Sequence, residues 1–311
     1  MPDPVKAVAE PAGSLAAPRQ AASGKTYLLG CLAAFSVVFI WSSWLVASRS
    51  GALSGLTVYD LAALRYGISG LLASPFVLYF KPWRTLSIGR IAVLTMLLGP
   101  VYILLVFNAF VFAPAAHGGI FMNGVLPVMT LAIGWLFLRE VPRWQQFVAA
   151  AIILIATVLV VADQSSLAVS QSWRGDLLFL AGAVFFSVFM ILNRLWGLTT
   201  TQILLCSSVL NAVIYLPVWS VWLPSRFAEA SQSQIIIQAF YQGIVPTLLG
   251  LLLVAVAIRR IGSSTTAAFM AGVPGLGAVL SMIFLGEALG IISWVALALL
   301  TAGIAMMATA K

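Results

Sequence analysis

From Lys25 onward, apolar residues run in blocks of about twenty, separated by short knots of polar and charged residues. A helix rising about 1.5 Å per residue needs about 20 apolar residues to cross about 30 Å of hydrocarbon. Ten windows qualify: 26–48, 59–80, 91–112, 118–138, 144–162, 176–196, 201–222, 236–257, 264–284 and 291–310. The period-two alternation of a membrane β-barrel is absent, whereas a helix satisfies its own backbone within lipid. The pattern predicts an all-α integral membrane protein with ten transmembrane helices joined by short loops. Residues 1–25 are rich in Pro and Ala, lack a continuous apolar run, and read as a disordered cytosolic tail. The first apolar window is longer than the apolar core of an ordinary signal peptide.

Two windows break their own pattern. "GIFMNGVLPVMTLAIGWLFLRE" (Gly119 to Glu140) holds Asn123, Gly124 and Pro127, and "TAAFMAGVPGLGAVLSMIFLGE" (Thr266 to Glu287) repeats the design around Pro274. Pro127, Phe137, Leu138 and Glu140 match Pro274, Phe284, Leu285 and Glu287 at a constant offset of 147. In the first helix of each half, "WSSWLVASR" pairs with "FSVFMILNR" at an offset of 145, setting Trp41 on Phe186 and Trp44 on Phe189. Each half, 26–162 and 176–311, would hold five helices. An odd number makes the second half enter the membrane from the opposite side. The expected fold is two inverted-topology five-helix repeats around a central cavity, the design of many secondary transporters.

Composition narrows the picture further. Hydrophobic residues make up 62% of the chain, charged residues 8%, and mean hydropathy is +1.09. Soluble domains are about 45–50% apolar and about 25% charged, so no water-soluble fold accounts for this chain. Net charge +8 follows from orientation, not from a nucleic-acid surface. With the N-terminus inside, twelve Lys and Arg fall on the cytosolic side, while only Arg49, Arg174 and Arg226 fall outside. Arg65 lies within the second helix. This positive-inside bias places both termini in the cytosol. One His and two unclustered Cys (Cys31, Cys206) supply neither a metal cluster nor acid–base machinery. No metal, no cofactor and no enzymatic activity are expected.

Polar groups inside the windows are the candidate chemistry, because charge at membrane depth is costly. Asp60 and Arg65, five apart, read as a structural ion pair, with a contact from Arg65 to a substrate carboxylate as the sharper alternative. Neutral polar candidates are Tyr102, Asn108, Asn123 and Gln242. Pro127 and Pro274 are helix breaks: proline lacks an amide hydrogen, which would free the carbonyls of Asn123 and Met270. Those carbonyls could meet a substrate ammonium, or neighbouring groups could repair them. Trp41, Trp44, Met122, Phe186, Phe269 and Met270 could line an apolar wall for a substrate side chain; packing is the plainer use. His117 reads as a loop residue. The fifth and tenth helices, poor in polar groups and rich in small residues, suit close packing or a dimer surface.

Two tandem five-helix units, "WSSWLVASR" in the first helix, "LAALRYGISG" in the second, and fourth helices of the form Pro-(x)n-Phe-Leu-x-Glu resemble the EamA family of the drug/metabolite transporter superfamily. Within it, the YddG-type ten-helix amino-acid exporters are most similar. "FLRE" departs from the usual Phe-Leu-Gly-Glu, which "FLGE" keeps. The resemblance covers about residues 28–310 and implies efflux of small metabolites, amino acids included, across a bacterial inner membrane. The partners implied are a small-molecule substrate and the lipid bilayer, with no nucleic acid, for a monomer or homodimer. The four-helix multidrug relatives carry an acid in their first helix; "YLLGCLAAFSVVFIWSSWLVAS" has none. Facilitated movement or exchange is therefore expected over proton-coupled efflux, channel activity or lipid handling.

Overall fold

A computed structural model describes residues 24–163 and 171–310. The tail expected at 1–25 lies, apart from its last residues, outside the described residues. Ten helical spans appear: α1 Lys25–Ala52, α2 Val58–Phe80, α3 Ile88–Phe112, α4 Ala115–Leu138, α5 Trp144–Ala162, α6 Ser172–Trp196, α7 Thr200–Trp222, α8 Gln232–Ile261, α9 Thr265–Leu285 and α10 Ile291–Thr309. Five spans in each half put α1 and α6 antiparallel. Arg49 therefore sits at the end of the bundle opposite the N-terminus (the far end), and Arg194 at the near end.

Local chemistry sets the helix limits. Thr57 and Asp60 form a reciprocal capping box at the start of α2, each side chain taking the other's backbone amide. The matched helices α4 and α9 both end on a left-handed residue, Arg139 (φ 56°) and Gly286 (φ 67°). That turn swings the following glutamate back along its helix. Glu287 accepts from the Ser281 hydroxyl. A Cβ added at Gly134, which matches Ser281, would lie 2.9 Å from Glu140 Oε2.

The interruptions are real and unequal. In α4, Gly118–Gly124 widens into π-helix, with the Val125 amide bonding Ile120 O at 3.1 Å. In α9 the chain tightens instead, Ala271 bonding Ala268 O and Gly272 bonding Phe269 O at 3.0 Å. Further π-helical stretches lie at Leu205–Val209 in α7 and Val245–Leu249 in α8, and α3 breaks at Gly99–Pro100. Such widenings concentrate at functional sites. The two broken helices meet: a Cβ on Gly119 would approach Pro274 Cα to 3.1 Å, tighter than an ordinary contact, so glycine lets the backbones come this close without displacement.

α5 and α10, the small-residue spans, pack on each other within the chain. Gly303 faces Ile153, and the Asp163 carboxylate caps α10, accepting from the Ser293 amide and hydroxyl at 3.0 and 2.6 Å. Their small faces thus serve packing inside one copy.

Candidate functional site

At the repeat interface, four of the residues singled out from sequence come together. Arg65, on α2, lies about 10 Å into its span at the usual helical rise. Its guanidinium stands over the Trp44 ring, 5.8 Å from the centroid, and within electrostatic reach of the Tyr102 phenol. Tyr102 stacks on Phe186 of the second repeat, with ring centroids 6.0 Å apart. The Arg65 guanidinium makes no hydrogen bond or ion pair among the described residues, and its Nη1 is fully enclosed. The Trp44 face offers a cation–π attraction of about 0.5–2 kcal/mol. That is less than a carboxylate would supply to a guanidinium at this depth.

The Asp60–Arg65 ion pair does not form. Residues five apart on an α-helix project about 140° from one another. Asp60 instead accepts from the Thr57 amide, Trp219 Nε1 (3.0 Å) and the Arg226 amide (3.0 Å), tying α2 to the end of α7. Arg65 is left without a countercharge.

Gln242 is wholly buried and fully engaged. Its Oε1 accepts from Trp44 Nε1 at 2.8 Å, and its Nε2 donates to Ser48 Oγ (3.2 Å) and Gln238 Oε1 (3.0 Å). It positions Trp44, and both of its amide hydrogens are used within the protein. Asn123 differs: it is partly buried and its side-chain amide makes no hydrogen bond among the described residues. Met122 is buried in the main core, with Phe269 and Met270 packed at its edge. Trp41 turns to α8, its Nε1 3.1 Å from where a Cβ on Gly250 would stand. Asn108 bonds its own helix at Leu104 O (2.8 Å) and lines a groove of about 440 Å³ with Val101, Leu105, Phe112 and Leu178. Nothing joins it to the Arg65 group.

Side chains of other spans bond carbonyls beside the breaks. Ser42 donates to Val273 O at 3.0 Å beside Pro274, while Tyr66 (3.2 Å) and Asn211 (3.4 Å) donate to Leu98 O beside Pro100. Met96 O, freed by Pro100, is taken up by the Gly99 amide at 3.3 Å.

The residues that sequence reading undervalued lie at the ends of the bundle. Arg49, read as an outer-loop charge, is buried at the far end, where its Nε meets Glu287 Oε1 at 2.8 Å. Its Nη1 donates to Phe110 O and Val111 O, and Glu287 also accepts from the Ala115 amide at 2.9 Å. Removing one partner of so enclosed a pair costs about 3–5 kcal/mol, because the other charge stays buried. At the near end Arg194 Nη2 pairs with Glu140 Oε1 at 2.6 Å. His117 is not a loop residue: it is wholly buried in α4, its Nδ1 2.7 Å from Asp176 Oδ1 of α6, and its Nε2 has no partner. The signal for Arg49 was present, since Arg49 and Arg194 match across the repeat as Glu287 and Glu140 do.

Ten spans in two inverted halves, broken helices touching at the interface and an uncompensated cation between aromatic rings define a membrane protein of the inverted-repeat transporter class. The family model described as EamA-like transporter family matches residues 28–162 and 173–309. The chain belongs to that family, a family of membrane transporters. No curated protein matches it. A solved structure titled "Crystal structure of protein" is similar at 19% identity and a TM-score of 0.60, over 91% of this chain and 96% of that one. That likeness concerns the fold alone.

Proposed function

We propose that this chain exports small carboxylate-bearing metabolites, most of all amino acids with apolar or aromatic side chains, across a bacterial inner membrane by alternating access. The observation that carries the reading is Arg65. An unpaired guanidinium at membrane depth marks a functional site by default, and its planar fork matches a carboxylate in bidentate fashion. Trp44, Tyr102 and Phe186 around it suit an apolar side chain. The unengaged amide of Asn123 offers a neutral polar contact from the broken helix. The first span lacks an acid, which favours facilitated movement or exchange.

A second reading has one observation behind it. The buried His117–Asp176 pair is a titratable group inside the bundle, of the kind proton-coupled carriers use. One experiment separates the two readings. The purified protein is reconstituted in liposomes, and counterflow of labelled amino acids is measured with and without an imposed pH gradient. Counterflow of apolar and aromatic amino acids without the gradient is expected. No counterflow across a broad panel sinks the amino-acid reading, and strict dependence on the gradient establishes proton coupling.

A further inference from the structure

Each repeat sends one arginine, at the end of its first helix, to the glutamate that ends the broken helix of the other repeat. Arg49 of α1 holds Glu287 after α9, and Arg194 of α6 holds Glu140 after α4, at 2.8 and 2.6 Å. These are the same positions in the repeat, joined crosswise. Because the halves are inverted, the two pairs lie at opposite ends of the bundle. Their surroundings differ sharply: side-chain exposure is 7% and 14% at the far end, but 56% and 49% at the near end.

We infer that the two pairs are alternating gate locks, one for each side of the membrane, and that this structure holds the far gate shut. The far lock is dry and reinforced. The Phe110 and Val111 carbonyls take the guanidinium, and the Ala115 amide and Ser281 hydroxyl take the carboxylate. It clamps α1, the end of α3 and the start of α4 onto α9, so the far side cannot open while it stands. The near lock has none of this support among the described residues, and water competes for both partners. At the repeat position of Ala115 in the second half, the helix Ser263–Met270 starts without a side-chain cap.

The helix breaks carry the same asymmetry, α4 widened to π-helix and α9 tightened. Equivalent helices in two conformations are what two inverted halves adopt when one side is closed. Exchanging the two conformations would bury Arg194–Glu140 and hydrate Arg49–Glu287. The lock supplies the bistable element that such switching requires.

This inference rests on the alternating-access reading but not on any substrate, and its test needs none. In the full chain, with Cys31 and Cys206 replaced, spin labels are placed on the exposed pairs Ser50/Ala288 at the far end and Leu195/Val141 at the near end. Distances are then measured in liposomes. Glu287→Gln is expected to lengthen the Ser50–Ala288 distance and shorten the Leu195–Val141 distance. Glu140→Gln is expected to keep the present arrangement while slowing exchange at least ten-fold. Should Glu287→Gln fail to fold, Arg49→Lys, which keeps the charge but loses the two carbonyl contacts, is expected to shift both distances in the same directions. Lengthening at both ends or no change at either overturns the locks. If the distances respond as expected but no amino acid is transported, the substrate reading alone fails.

Discussion

At the scale of single residues, the decisive feature is a charge without a countercharge among the described residues. Asp60 is spent on capping α2 and anchoring α7, so Arg65 keeps its guanidinium for a ligand. Neutralising it in Arg65→Gln is expected to cut carboxylate-substrate transport at least about thirty-fold, about 2 kcal/mol of charge-assisted bonding. Arg65→Lys keeps the charge but loses the fork, so its main effect should be a raised KM in counterflow. Unchanged transport in Arg65→Gln would return the residue to a structural role. A second residue-scale prediction concerns Arg139, which stands in the left-handed conformation that its repeat partner fills with Gly286. Arg139→Gly relieves a Cβ clash of about 1 kcal/mol and is expected to raise the thermal midpoint in detergent.

At the scale of elements, the breaks in α4 and α9 bring the repeats into backbone contact at Gly119 and Pro274. Gly119→Val puts branched carbon where Pro274 already stands. Overpacking there should cost about 1–3 kcal/mol and abolish exchange by wedging the broken helices apart. Thermal denaturation and counterflow check the two parts separately. Both prolines were legible in the sequence because a missing amide hydrogen acts locally. The form of each break was not. The form each helix takes depends on what packs against it, and Ser42, which bonds Val273 O beside Pro274, comes from another span.

At the scale of the whole molecule, orientation is the open expectation with the plainest test. The bias of twelve basic residues against three predicts that reporter domains fused to either terminus report a cytosolic location. An extracytoplasmic readout at one terminus would break the ten-span count, and at both it would invert the topology. α5 and α10 use their small faces on each other.

The chain's own pattern determined the membrane, the ten spans, the repeat, its inversion and the two broken helices. Each of these depends on composition, local bonding or counting, which act along the chain. Only the tertiary structure decided which polar groups are engaged. It gave Asp60 to Trp219 and left Arg65 free, bound Gln242 to Trp44, buried His117 against Asp176, and crossed Arg49 to Glu287 over 238 residues. Hydrogen bonding at membrane depth is nearly all-or-none, because no water substitutes for a missing partner. A side chain is therefore structural or free for a ligand according to its neighbours across the bundle, and sequence spacing does not encode those neighbours.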